Sequence, residues 1–138
     1  MDFSGLTGLT TASHIHAPTP FRGAGKAGVA TQVPYFVGFP LGVTSGTYDQ
    51  LFNTLDASFY NPDFITANGG TVAGAEAAFA QALAEGRAYL NSHTELYPGG
   101  EIRGFLHTPE TGSAIVCFGL GLIGLEIFRR KFATQLNG

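Results

Sequence analysis

One segment, residues 91–106, constrains the fold of this 138-residue chain more than any other. It predicts a strand that ends at Thr94, a turn over residues 98–100, and a second strand that returns from Glu101. Proline presets φ for such a turn and glycine adopts positive φ without steric cost, so the two strands are expected to form a β-hairpin. Glu101 and Arg103 share one face of the return strand, which predicts an ion pair between them.

Residues 10–17 alternate in the manner of another strand. His14 and His16 fall on one of its faces and Ile15 on the other. An His-x-His pair on one strand face holds its Cα atoms about 6–7 Å apart, which is a common metal-chelating arrangement. His93, on the first strand of the hairpin, is a candidate for a third ligand nitrogen.

Composition favours an extracellular all-β domain over a cytosolic helical enzyme. Charged residues make up only 12 % of the chain, glycine occurs 20 times and tryptophan is absent. The net charge of −3 comes without a stripe of Lys and Arg between aromatics, so nucleic acid is not an expected partner. The one cysteine, Cys117, permits no internal disulfide, and we expect it to be a small buried side chain.

Helices are predicted between the histidine strand and the hairpin. Asn61 as N-cap and Pro62 as first residue start a short helix that extends to about residue 67. Residues 74–85 carry apolar side chains at helical spacing, and Gly86 ends this second helix. Residues 30–37 and 48–55 are strand candidates, and the latter also fits a short helix.

Together these features resemble the CHRD domain, a family named for its occurrence in chordin and common in bacterial secreted proteins. The resemblance covers residues 3–106 and is most specific over residues 13–18 and 86–106. It assigns residues 1–107 to a CHRD domain. The expected fold is mainly β, an immunoglobulin-like or superoxide-dismutase-like β-sandwich. It carries a helical insertion at about residues 62–85 and a C-terminal hydrophobic helix.

Residues 108–138 are predicted to form a sorting and anchoring tail. Residues 113–128 are nearly all apolar, and the basic cluster of Arg129, Arg130 and Lys131 follows at once. About 16 residues is just under the ~17–25 that usually span a bilayer as a helix, and snorkelling basic side chains extend that reach. The basic cluster is expected on the cytoplasmic side of the membrane.

The order of these tail features is similar to a PEP-CTERM-type sorting signal. Pro109 and Glu110 stand where that family carries its short sorting motif, ahead of the apolar run and the basic cluster. The resemblance implies that an exosortase-type enzyme recognises the motif, removes the hydrophobic segment and attaches the protein to the cell envelope. A plain integral membrane protein with an uncleaved tail is the alternative.

The first residues lack the basic and apolar regions of a secretion signal. CHRD members usually carry such a signal, and two further strands, ahead of the segment that corresponds to residues 3–6. We therefore expect that the N-terminal strands and the signal peptide are missing from this sequence. The alternative is a protein that is not exported.

The histidines allow a metal site. The set of His14, His16 and His93 resembles, loosely, the copper ligands of Cu/Zn superoxide dismutase, and His107 is then the candidate for a fourth ligand. A His and Asp cluster suited to zinc is not evident in the sequence. The alternative is that these side chains only satisfy turns through hydrogen bonds.

No reaction is predicted, because the carboxylates are scattered and no nucleophile elbow, phosphate loop or Cys/His set is present. We therefore predict a non-enzymatic exported domain without a required cofactor, anchored at the cell envelope. It would serve as a structural or binding module of the cell surface or extracellular matrix. The alternative is a metal-binding (Cu or Zn) or redox protein that uses the histidine cluster.

Overall fold

The computed structural model describes residues 1–108. They form two small antiparallel sheets, one 3-10 helix and two α-helices. In chain order the elements are β1 Asp2–Phe3, β2 Thr10–His16, β3 Gly46–Thr47, the 3-10 helix Ala57–Phe59, α1 Pro62–Ala67, α2 Val72–Ala84, β4 Tyr89–Thr94 and β5 Ile102–Phe105. The predicted β-rich architecture is thus confirmed at this level, with helices where the insertion was expected.

The larger sheet has the strand order β2-β4-β5. Its β4–β5 hairpin confirms the hairpin predicted around residues 98–100, and Gly100 adopts a φ of +107° at the turn. Strand β2 pairs antiparallel with β4, so that His16 lies opposite Tyr89 and His14 opposite Asn91. The histidine strand and the hairpin therefore belong to one sheet, which is what brings the candidate ligands together.

Both predicted helices are present. The Asn61 side chain accepts a hydrogen bond from the Asp63 amide and Pro62 opens α1, which confirms that helix and its cap. Helix α2 begins at Val72, two residues earlier than predicted, because the Thr71 side chain caps it by accepting from the Gly74 amide. Its apolar stripe faces inward, with Ala75, Phe79 and Ala82 buried.

The core is an aromatic cluster that the helices and the irregular segments share. Phe36 and Phe39 come from the chain between β2 and β3, and Phe59 from the 3-10 helix. Phe79 comes from α2. Rings in this cluster pack edge to face or offset, in the geometry that aromatic pairs prefer.

Two strand predictions are wrong. Residues 30–37 contribute only an isolated bridge from Thr31 to Tyr60, because Pro34 interrupts the run and cannot donate to a ladder. Residues 48–55 form neither a strand nor the alternative short helix. Leu51 is 93 % exposed while Phe52 packs on the rings of Phe36 and Phe59, so this segment anchors to the core without a regular period.

The predicted ion pair between Glu101 and Arg103 is also wrong. Both oxygens of the Glu101 carboxylate accept hydrogen bonds from the segment that precedes β2, namely from the Thr7 amide (2.6 Å), the Thr7 hydroxyl (2.9 Å) and the Gly8 amide (3.2 Å). The Thr94 hydroxyl donates a fourth, at 2.8 Å. Arg103 instead lies over the ring of Tyr89. Glu101 precedes the strand rather than belonging to it, so strand alternation does not govern its direction.

Replacing Glu101 by Gln is expected to lower the melting temperature by several degrees at pH 7, and less at pH 4. The donors, foremost the Thr7 amide, hold the pKa of this carboxyl below its usual range. A depressed folded-state pKa gives stability that is present above the unfolded pKa and lost as the pH falls through the folded one. Thermal unfolding of the full chain at both pH values measures this. The exposed neighbour Glu95→Gln is the control, and an equal shift in both variants would contradict the assignment.

The predicted tail lies outside the described residues. This covers Pro109, Glu110, Cys117, the hydrophobic helix 113–128 and the basic cluster at residues 129–131. Among residues 1–108, no helix combines the length and the apolar character that a membrane crossing requires.

Candidate metal centre

Strand pairing brings three imidazole rings together on one face of the larger sheet. His14 and His16 are two residues apart on β2, and His93 on β4 pairs with Ala12, diagonally across from His14. The ring centroid of His14 lies 4.9 Å from that of His16 and 4.6 Å from that of His93. The His16 and His93 centroids are 5.9 Å apart. We call these three residues the histidine triad.

Two ring nitrogens of the triad are buried and make no hydrogen bond in the part of the chain that the structure describes. His14 is 7 % and His16 9 % exposed, while His93 is partly exposed at the rim. The His14 Nδ1 and the His16 Nε2 have no hydrogen-bond partner within residues 1–108. A buried polar atom left in this way costs about 1–3 kcal/mol, which a metal–nitrogen bond would offset.

Backbone carbonyls fix the orientation of two of the three rings, those of His16 and His93. The His16 Nδ1 lies 2.8 Å from the Ala27 carbonyl oxygen, and the His93 Nδ1 lies 2.7 Å from that of Pro98. Because a carbonyl only accepts, each Nδ1 must carry the proton, and the lone pair of each ring then lies on Nε2. In His93 this Nε2 is 3.2 Å from the Asn91 amide nitrogen. Metal-ligating histidines generally have such a carbonyl behind them, since it sets the tautomer and raises ligand basicity.

The spacing suits a metal ion after a small adjustment. One nitrogen from each ring lies within 4.8 Å of the others. Three nitrogens at 2.0–2.1 Å from a tetrahedral zinc ion are about 3.3 Å apart, so ring rotations that move each nitrogen by about 1 Å would close the site.

Burial holds two of the rings, His14 and His16, in the neutral form that a metal requires. Burial is the main reason that the pKa of His14 falls from 6.5 to about 4, and the neighbouring His93 and His16 lower it further. Burial and His93 also lower the pKa of His16, against the opposing effect of its bond to the Ala27 carbonyl. Proton competition for these nitrogens is therefore weak at pH 7.

Acid is expected to destabilise the metal-free protein between pH 6.5 and pH 4, by roughly 1–2 kcal/mol after allowing for solvent screening. The folded-state pKa of His14 lies below the unfolded value, so the unfolded chain binds more protons in this window. The free energy of unfolding therefore decreases as the pH is lowered. Urea unfolding of the full chain in the presence of a chelator measures the loss. His14→Gln removes the titrating group, and a variant that loses as much stability as the wild type would refute the expectation.

Two neighbours complete the site, and the sequence interpretation missed both. The Tyr89 ring stacks on His16 at a centroid distance of 4.9 Å and an interplanar angle of 4°. The Asn91 amide nitrogen lies 3.2 Å from the His93 Nε2. Tyr89, Asn91 and His93 are spaced two residues apart on β4 and share one face, so the period that identified the His-x-His face also indicates these two neighbours.

His107, the predicted fourth ligand, is exposed and does not join the triad. His107 follows the end of β5, and β4 separates β5 from β2 in the sheet order, so the pairing that joins β2 to β4 does not bring this ring to the triad. Within residues 1–108 the triad is the one cluster of three or more side chains with metal-ligating groups this close together. Metal binding by these residues stays a prediction.

A family model described as the CHRD domain matches residues 1–106. No curated protein and no solved structure matches the chain.

Proposed function

The chain belongs to the CHRD domain family, and from that premise we propose that it is an exported module that binds one transition-metal ion through His14, His16 and His93. The supporting observation is a pair of buried nitrogens, the His14 Nδ1 and the His16 Nε2, which have no hydrogen-bond partner among residues 1–108 and belong to rings whose centroids are 4.9 Å apart. Purely structural histidines would be expected to have these atoms hydrogen-bonded.

The donor set indicates copper or zinc. Imidazole nitrogen suits Cu and Zn, whereas Ca and Mg require oxygen ligands. Copper(II) exceeds zinc in intrinsic affinity for such a site, so we expect copper to win under equal supply. Three protein ligands leave a coordination position open, as catalytic metal sites do, but we propose binding and assign no reaction.

The place of action proposed is the cell envelope. The tail features at Pro109 and Glu110, residues 113–128 and the basic cluster at residues 129–131 support export, recognition by an exosortase-type enzyme and at least transient anchoring in the membrane. The small antiparallel sheets fit the proposed immunoglobulin-like or superoxide-dismutase-like sandwich.

The second candidate function is a metal-free structural or binding module of the cell surface or matrix. It is favoured by the bonds from His16 to the Ala27 carbonyl and from His93 to the Pro98 carbonyl, which tie two loops to the sheet. In that case the histidines would act as loop anchors, and the ligand of the module would bind elsewhere.

Metal analysis separates the two candidates. The full chain, produced without a His tag and kept in mild detergent, is dialysed against an equimolar mixture of copper, zinc, calcium and magnesium salts. We expect elemental mass spectrometry to find about one copper or zinc ion per chain, and neither calcium nor magnesium bound. A preparation that retains no transition metal would favour the metal-free module.

A further inference from the structure

A polar cleft lies against the histidine triad. It has a volume of about 260 Å³, and Tyr89 and Asn91, the two neighbours of the triad, form part of its wall. Lys26 and Arg103 line it as well, together with residues 99–102, which include part of the hairpin turn and the first residue of β5. Since a water molecule takes about 30 Å³ of liquid, the cleft can hold a small ion with its remaining hydration.

Asn91 places a hydrogen-bond donor between the cleft and the triad. Its side chain belongs to a residue only 4 % exposed, and one amide N–H donates to the Gly99 carbonyl at 3.2 Å. The other is directed at the His93 Nε2, also at 3.2 Å. A metal on that Nε2 takes the lone pair, and the buried N–H then needs a new acceptor.

Charge in the site would also be unbalanced after metal binding. Three neutral imidazoles leave the charge of the ion uncompensated, and in the described part of the chain the cluster contains no carboxylate. Glu101 lines the cleft, but four donors already occupy its oxygens.

The cations of the cleft have free donors. Lys26 is exposed and makes no ion pair within residues 1–108. Arg103 uses one N–H on the Gly25 carbonyl at 3.1 Å, and its guanidinium carbon lies 5.3 Å from the centre of the Tyr89 ring. The remaining guanidinium donors can serve an anion.

We propose that the metal-loaded triad takes a small anion, a carboxylate or an inorganic oxyanion, from this cleft as its fourth ligand. This rests on the proposed metal binding. Asn91 donates its released N–H to the bound anion, and Lys26 and Arg103 supply the electrostatic attraction. The anion thereby completes the metal coordination and balances its charge.

Azide is the probe for this site. The full chain without a tag is loaded with one equivalent of copper(II), whose affinity is measured first by competition with a chelator, and is then titrated with sodium azide. We expect the visible absorption of copper to change saturably. Lys26→Gln should weaken azide binding about fivefold, with copper affinity unchanged, as expected for one partly screened charge.

Arg22→Gln is the matched control, because it removes the same charge at an exposed residue that does not line the cleft. Arg103→Gln is a second test of the cleft, because it removes the other positive charge that lines it. If copper binds but azide leaves its spectrum unchanged, the anion site is refuted while metal binding stands. The same conclusion follows if the Lys26 and Arg22 variants lose azide affinity equally. If copper does not bind, the proposed function itself is overturned and the anion site with it.

Discussion

Replacing His14 by Ala is expected to reduce the affinity for copper or zinc at least about a hundredfold, because loss of a direct ligand must exceed the 10- to 100-fold effect of losing a partner behind the ligands. His14 is the central ring of the triad, because its centroid is closer to those of His16 and His93 than these two are to each other. Its Nδ1 is buried, and none of the described residues forms a hydrogen bond with it. Chelator competition with the full, untagged chain measures the affinity.

His107→Ala provides the matched control, since it removes an imidazole that is exposed and outside the triad. It should leave metal affinity unchanged. Equal losses in the two variants, or undiminished affinity in His14→Ala, would show that the metal binds elsewhere. Thermal unfolding of both metal-free variants checks that folding is intact, because His14→Ala also removes a buried ring.

The triad could be predicted from sequence because local rules determine it. Strand alternation puts His14 and His16 on one face, and the hairpin turn fixes β4, where His93 lies. Only the pairing of β2 with β4, some 80 residues apart, had to be assumed. The same alternation would have identified Asn91, had the polar residue two positions before His93 been considered as part of the site.

The contacts of Glu101 could not be predicted in this way. Its partners Thr7 and Gly8 are more than 90 residues distant, and no periodicity relates an irregular N-terminal segment to a residue just outside β5. The opposite charge of Arg103 two positions away suggested a local partner. Backbone amides without sheet partners are stronger competitors for the carboxylate, because they must be satisfied somewhere.

The core segments between β2 and α1 escaped prediction for a different reason. Phe36 and Phe39 are 2 % and 4 % exposed, yet they lie in irregular chain with Gly38 at a φ of +80° between them. Secondary-structure rules detect a repeated face, and these residues reach the core without one. Helix α2 was predictable because its apolar residues do repeat every three to four positions.

Phe79→Ala is expected to have the largest effect on folding, a loss of about 3–5 kcal/mol in the free energy of unfolding. Phe79 is 4 % exposed on α2, and its ring lies edge to face with Phe59 at 5.5 Å and Tyr60 at 6.0 Å. Ala at this position would leave a cavity between the helix and the aromatic cluster. Urea unfolding of the full chain measures the loss. Phe21→Ala, at a position 71 % exposed, should cost less than about 0.5 kcal/mol. A loss below about 1 kcal/mol for Phe79→Ala would mean that α2 does not pack on this core, and a domain has only about 5–15 kcal/mol to lose in total.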